Sequence, residues 1–159
     1  MNAPPFELLG VDGKRYSPAA VRGDKGLLVM FICNHCPYVK RSIDRIVRDG
    51  KELAPLGIGS IAVMSNDPKD YPEDSFDNMK RVAREKGFPF PYVIDETQDV
   101  ARAYGTVCTP EFFGFDAALE LQYHGRVDEL LKAMRQIAAT GSGPKEQIPS
   151  VGCSIKWKK

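Results

Sequence analysis

The chain has no charge excess: 22 lysines and arginines are set against 21 acidic residues. Without a basic surplus, neither a nucleic acid nor an anionic membrane is an expected partner. No apolar run approaches the length needed to cross a bilayer. Residues Met1 to Glu7 lack the charged and apolar segments of a secretory leader, so the cytoplasm is the expected location. Cysteine is scarce, four in all, too few for a small scaffold held by disulfides. Cys108 and Cys153 stand singly, which leaves out the second Cys pair of a zinc ribbon. There is no internal repeat and no second core. One domain over residues 1–140 is expected. Residues 141–159 follow the break Thr140-Gly141-Ser142-Gly143-Pro144 as a C-terminal tail that packs on the domain or extends from it. No cofactor and no resident metal is expected.

What is present is organised around Gly26 to Tyr38. Six apolar residues, Leu27 to Ile32, run into Cys33-Asn34-His35-Cys36-Pro37. An unbroken apolar run predicts a strand buried on both faces, since a half-buried one would alternate. Beyond Pro37, Val39, Ile43, Ile46, Val47 and Leu53 share one helical face, while Lys40, Arg41, Asp44, Arg45 and Arg48 fall on the other. Proline is tolerated only in a first helical turn, so both cysteines belong to a helix start. Free backbone N–H groups and the positive end of the helix dipole favour a thiolate there. Residues three apart in that turn have Cα atoms about 5 Å apart, within the span of a disulfide. A redox pair is the reading these residues support best.

The remaining elements alternate. A small hairpin turns at Asp12-Gly13, and a second apolar strand covers Gly57 to Met64. Ser75 to Lys86 is helical and stops at Gly87, and a short helix capped by Thr97 ends at Gly105. Phe88 to Ile94 is extended, with prolines barring a central strand at its start. Glu111 to Asp116 pairs with Leu119 to His124, and an amphipathic helix begins near Val127. Strand–helix–strand, then helices, then strand–strand–helix predicts an α/β fold: a central mixed sheet flanked by helices, with an N-terminal β-hairpin.

In that order, the elements and Cys108-Thr109-Pro110 ahead of the hairpin resemble the thioredoxin fold. Cys33-Asn34-His35-Cys36-Pro37-Tyr38, Ser65-Asn66-Asp67, Val107-Cys108-Thr109-Pro110 and Gly152-Cys153-Ser154-Ile155-Lys156-Trp157 together resemble one subgroup. It is the thioredoxin-like branch of the alkyl hydroperoxide reductase and thiol-specific antioxidant superfamily. The resemblance implies that Cys33 is the exposed nucleophile and Cys36 the buried resolving thiol. It also implies that Thr109 and Pro110, the latter in a cis peptide, bind an extended substrate. A buried acid in the preceding strand, usual in thioredoxins, is missing from Leu27 to Ile32, which leaves the proton acceptor for Cys36 unassigned. The Pro-x-x-x-Thr-x-x-Cys of peroxiredoxins is missing too. Counting back from Cys33 reaches Met30 and Gly26, and from Cys36 it reaches Cys33 and Val29.

His35, beside the thiolate, is the expected electrostatic tuner. Cys108 and Cys153 are possible accessory thiols, and His124 is expected to be solvated. The leading function is a thiol–disulfide oxidoreductase, acting on a protein or small-molecule disulfide and re-reduced by an unidentified thiol. The alternatives are a thiol peroxidase and a non-enzymatic copper or zinc carrier using Cys33, Cys36 and either His35 or Cys108.

Overall fold

The computed structural model describes residues 1–159. Two short strands, β1 (Leu8–Gly10) and β2 (Arg15–Tyr16), form the N-terminal hairpin, followed by the one-turn helix α1 (Pro18–Val21). The central strand β3 (Gly26–Phe31) leads into α2 (Pro37–Leu53), and β4 (Ile58–Met64) returns alongside it. Then come α3 (Phe76–Lys86), β5 (Tyr92–Ile94) and α4 (Asp99–Tyr104). The chain continues through β6 (Cys108–Thr109), β7 (Glu111–Asp116), β8 (Leu121–Gly125) and α5 (Leu130–Thr140) to a last strand, β9 (Cys153–Ser154).

Seven strands make one mixed sheet in the order β2-β1-β5-β4-β3-β7-β8. The β3/β4 and β4/β5 pairs are parallel, with α2 and α3 as the crossovers, and β7 lies antiparallel to β3 on its other side. Every residue of β3 is buried, as its unbroken apolar run demands. Because successive side chains point to opposite faces, Leu28, Met30 and Ile32 enter one core while Leu27, Val29 and Phe31 enter the other. The first core is closed by Ile43, Ile46 and Leu53 of α2, Met79 of α3 and Leu130, Met134 and Ile137 of α5. The second holds Val100, Ala101 and Tyr104 of α4. There Phe113 meets Phe31 and Tyr104 edge to face and Phe31 tilts against Tyr104, with ring centroids 5.4 to 5.8 Å apart.

Local signals set the helix ends. Ser75 accepts from the Asn78 backbone N–H to start α3, and Gly87, with φ of 64°, supplies its left-handed stop. The short helix α4 differs from expectation: Gln98, at φ of 68°, occupies the cap position, and Thr97 Oγ1 accepts only from the Asp99 N–H. Gln98 is buried and spoken for elsewhere, its amide donating to the carbonyls of Ser65 and Lys156.

The segment after α5 is closely held. Along the outer side of β8, His124 N–H donates to the Gln147 side chain and Arg126 N–H to the Ile148 carbonyl, while Leu121 N–H donates to the Met1 carbonyl. Farther on, β9 pairs antiparallel with β6, placing Thr109 opposite Cys153 and Cys108 opposite Ser154. Ile155 is buried in the second core. Lys156 is tied to Asn66, Asp67 and Gln98 through its backbone.

Candidate active site

Pro37 is the first residue of α2 and Cys36 its N-cap, so Cys33 to Cys36 arch over the helix start. Neither cysteine is in a disulfide and both residues are buried: Cys33 is 2% exposed and Cys36 0%. The exposed nucleophile implied by the resemblance is therefore covered, though not sealed. Cys33 lines a groove of about 340 Å³ between α2 and α3, walled by Ile32, Val39, Ile43, Val82 and Phe88, whereas Cys36 does not reach it.

The Thr109–Pro110 bond is cis. Thr109 touches both thiols: its Oγ1 hydrogen-bonds Cys33 Sγ at 3.3 Å, and its carbonyl oxygen lies 3.5 Å from Cys36 Sγ. The two cysteines share a proton unequally. Cys36 is pushed down to about 4, first by the hydrogen bond that Cys33 donates, then by the Cys153 thiol and the backbone N–H groups of Val39 and Cys153. Cys33 is pushed up, first by giving that hydrogen bond, then by burial and by the charge of Asp74, with Thr109 opposing. The helix N–H groups reach the second sulfur rather than the first.

Asp74 is the residue that sequence reasoning missed. It sits in the turn before α3 and is fully buried. One carboxylate oxygen accepts from the backbone N–H groups of Asn34 at 2.7 Å and His35 at 3.2 Å. The other accepts from Asn66 Nδ2 at 3.1 Å and hydrogen-bonds His35 Nδ1. Asn34 is pinned further by its amide on the Glu73 carbonyl and by the Tyr92 hydroxyl on its Oδ1. The His35 ring stacks on Tyr71 with centroids 4.4 Å apart. Asn66 lies in a segment already marked by the resemblance. An acid ahead of a helix cap is too common a feature to point to Asp74 by itself.

Donor atoms of Cys33, His35 and Asp74 lie within 4.8 Å of one another. This is a different trio from the expected carrier set, since Asp74 stands in place of Cys36. Cys153 packs against the core that holds Cys33 and Cys36, and Cys108 is half-buried beside it, pushed up to about 11 mainly by burial. His124 is exposed, as expected, but it has a partner. Its Nε2 lies 2.7 Å from Glu111 Oε1, and its ring stacks on Phe113.

Residues 1–124 match the AhpC/TSA family. The chain belongs to that family. The AhpC/TSA match ends before α5 and β9, so Cys153 lies beyond it. A thiol-disulfide oxidoreductase ResA of Geobacillus thermodenitrificans is 28% identical over 158 residues, covering 97% of this chain and 76% of the relative. The crystal structure of an uncharacterized conserved protein from Geobacillus kaustophilus is 43% identical, with a TM-score of 0.95, and the match covers 99% of this chain and 91% of that one. A thiol:disulfide interchange protein of the thioredoxin family from Chlorobium tepidum TLS is 22% identical and covers 87% of this chain and 95% of its own. Its TM-score of 0.70 shows the shared thioredoxin-like fold. No helix is long and apolar enough to cross a membrane.

Proposed function

We propose that this protein is a thiol–disulfide oxidoreductase whose redox pair is Cys33 and Cys36. The observation that carries the reading is the Cys33/Cys36 pair at the start of α2, both sulfurs against Thr109, with Cys33 alone opening on the groove. Cys33 attacks one sulfur of a substrate disulfide and passes its proton along the hydrogen bond to Cys36. The substrate S–S bond breaks, a mixed disulfide forms on Cys33, and the first substrate sulfur leaves as a thiolate. Cys36, now a thiol, has the Thr109 carbonyl oxygen as acceptor. It then attacks Cys33 sulfur, its proton goes to the departing substrate thiolate, and Cys33–Cys36 is left oxidised. The pair thus serves as its own base, which accounts for the missing acid in β3. The name of the ResA relative supports a disulfide as substrate, of protein or small-molecule origin. A thiol reductant of the cytoplasm would complete the cycle.

The peroxidase reading has one observation in its favour, the Thr109 hydroxyl on Cys33. Breaking an O–O bond calls for donors to both oxygens, and the guanidinium nearest in the groove, Arg81, is engaged by Glu85 and Asn78. A metal held by the trio Cys33, His35 and Asp74 would require the Asp74 carboxylate to give up N–H groups it already holds. The test is insulin reduction with dithiothreitol, beside stopped-flow oxidation by hydrogen peroxide. Disulfide reduction is expected to be abolished in Cys33→Ser, with peroxide reacting near the rate of an ordinary thiolate. Peroxide oxidation orders of magnitude faster than that of free cysteine, with no insulin reduction, would overturn the proposal.

A further inference from the structure

Thr109 is the common wall of three thiols rather than two. Its side chain meets Cys33, its carbonyl oxygen meets Cys36, and its backbone pairs with Cys153 across β6 and β9. The approach is close: a Cβ on Gly152 would come within 1.9 Å of the Thr109 carbonyl oxygen, so only glycine lets the tail lie there. Anchors hold Cys153 in place from the other side, with Ile155 buried in the second core and Lys156 N–H donating to Asn66. Cys153 also packs on the core that holds Cys33 and Cys36, so the tail thiol and the redox pair share one side of the sheet.

We infer that Cys153 is a third catalytic thiol, exchanging into a Cys36–Cys153 disulfide that sets Cys33 free again. The inference rests on the redox reading of Cys33 and Cys36. Starting from the Cys33–Cys36 disulfide, the Cys153 thiolate attacks Cys36 sulfur. The Cys33–Cys36 bond breaks as the Cys36–Cys153 bond forms, the electron pair leaves on Cys33, and the proton lost by Cys153 is available to it. One disulfide and one thiol stand on each side, so no oxidant or reductant is consumed. The timing is built in. In the dithiol state, burial, the hydrogen bond Cys153 gives to Cys36 and the Cys36 charge hold the Cys153 thiol up. Oxidation of Cys36 removes the last two, leaving Tyr38 N–H and Lys156 to favour the thiolate. Cys108 has no such position, facing Ser154 across the pair.

Tryptic mapping under non-reducing conditions tests this, because Cys33 and Cys36 share the peptide 26–40 while Cys153 lies in 146–156 and Cys108 in 103–126. Wild type and Cys33→Ser are equilibrated with a glutathione redox buffer and the free thiols alkylated. A cross-link between 26–40 and 146–156 is expected in both, dominant in Cys33→Ser, independent of protein concentration, retained in Cys108→Ser and lost in Cys153→Ser. Cys33→Ser carrying glutathione on Cys36 with Cys153 alkylated, or a cross-link found only between molecules, overturns the inference. Insulin reduction by the wild type is scored separately. Reduction without the cross-link sinks the third thiol alone, and the cross-link without reduction sinks the functional reading alone.

Discussion

Asp74 is fully buried, and both its oxygens are taken up by N–H groups of the Cys-x-x-Cys arch, the His35 ring and Asn66. Hydrogen bonds to a charged acceptor contribute about 1.5–3 kcal/mol each, and orphaned buried donors cost comparably. Asp74→Ala should therefore destabilise the fold by about 3 kcal/mol in urea titration, and a change under 1 kcal/mol would show that the arch holds without it. The carboxylate also opposes negative charge on Cys33. Removing that charge in Asp74→Asn favours the reduced form, so the potential should rise by about 20–40 mV, at 30 mV for each 1.4 kcal/mol. His35→Ala leaves the carboxylate unpartnered on that side and should lower the potential. Equilibration with glutathione reads both, and shifts of the same sign would refute this account of the charge. The pH dependence follows from Cys36, pushed down to about 4 against the usual ~8.5 of a free thiol. A depressed value adds stability above the unfolded pKa and loses it as pH falls through the folded one. Cys33, pushed up, adds stability below the unfolded value and loses it at higher pH. The reduced protein should gain stability from about pH 4 to about 8.5 and lose it beyond. Its thiolate ultraviolet absorbance should persist to near pH 4 and vanish in Cys36→Ser. A midpoint near 8 would contradict the shared proton.

At the scale of elements, what was legible in the sequence is what depends on neighbours along the chain. β3 announces itself by six apolar residues, α2 by Pro37 and its apolar face, and α3 by Ser75 and Gly87. The motif and cis-proline segments were likewise visible, and with them Cys33, Cys36, Thr109 and Pro110. The four-residue α1 and two-residue β9 have no room for a period, and so left no signal. Asp74 with Asn34, and Asn66 with Lys156, are pairings between distant stretches, settled only when the sheet has brought them together. The β6/β9 pairing belongs to that class, and Gly152 is its most sensitive point. Gly152→Ala cannot keep the observed contact with Thr109, so the tail should lift. Limited trypsin digestion should then cut at Lys145 and Lys156 several-fold faster, and unchanged rates would mean the pairing tolerates a side chain.

At the scale of the molecule, the tail joins two halves of the interior that the sheet keeps apart. Cys153 packs on the core closed by α2, α3 and α5, while Ile155 is buried in the core beneath α4. Its removal therefore affects more than a terminus. Ile155→Ala should cost about 2–4 kcal/mol, in the range for a buried isoleucine, in one cooperative transition with an unchanged denaturant slope. A separate early transition confined to the tail would show that it is only appended.

The strand β8 bears on how copies of this protein stay apart. It ends the sheet, and an unpaired outer strand is an open template on which another chain can add itself. Here both ends of the chain lie along it, with Met1 on Leu121, Gln147 on His124 and Ile148 on Arg126. Residues 1 and 147–148 thus take up groups on the outer side of β8 that another strand could otherwise pair with. Shortening the chain at either end, while leaving every redox residue up to Pro110 intact, would convert a protected border into an adhesive one.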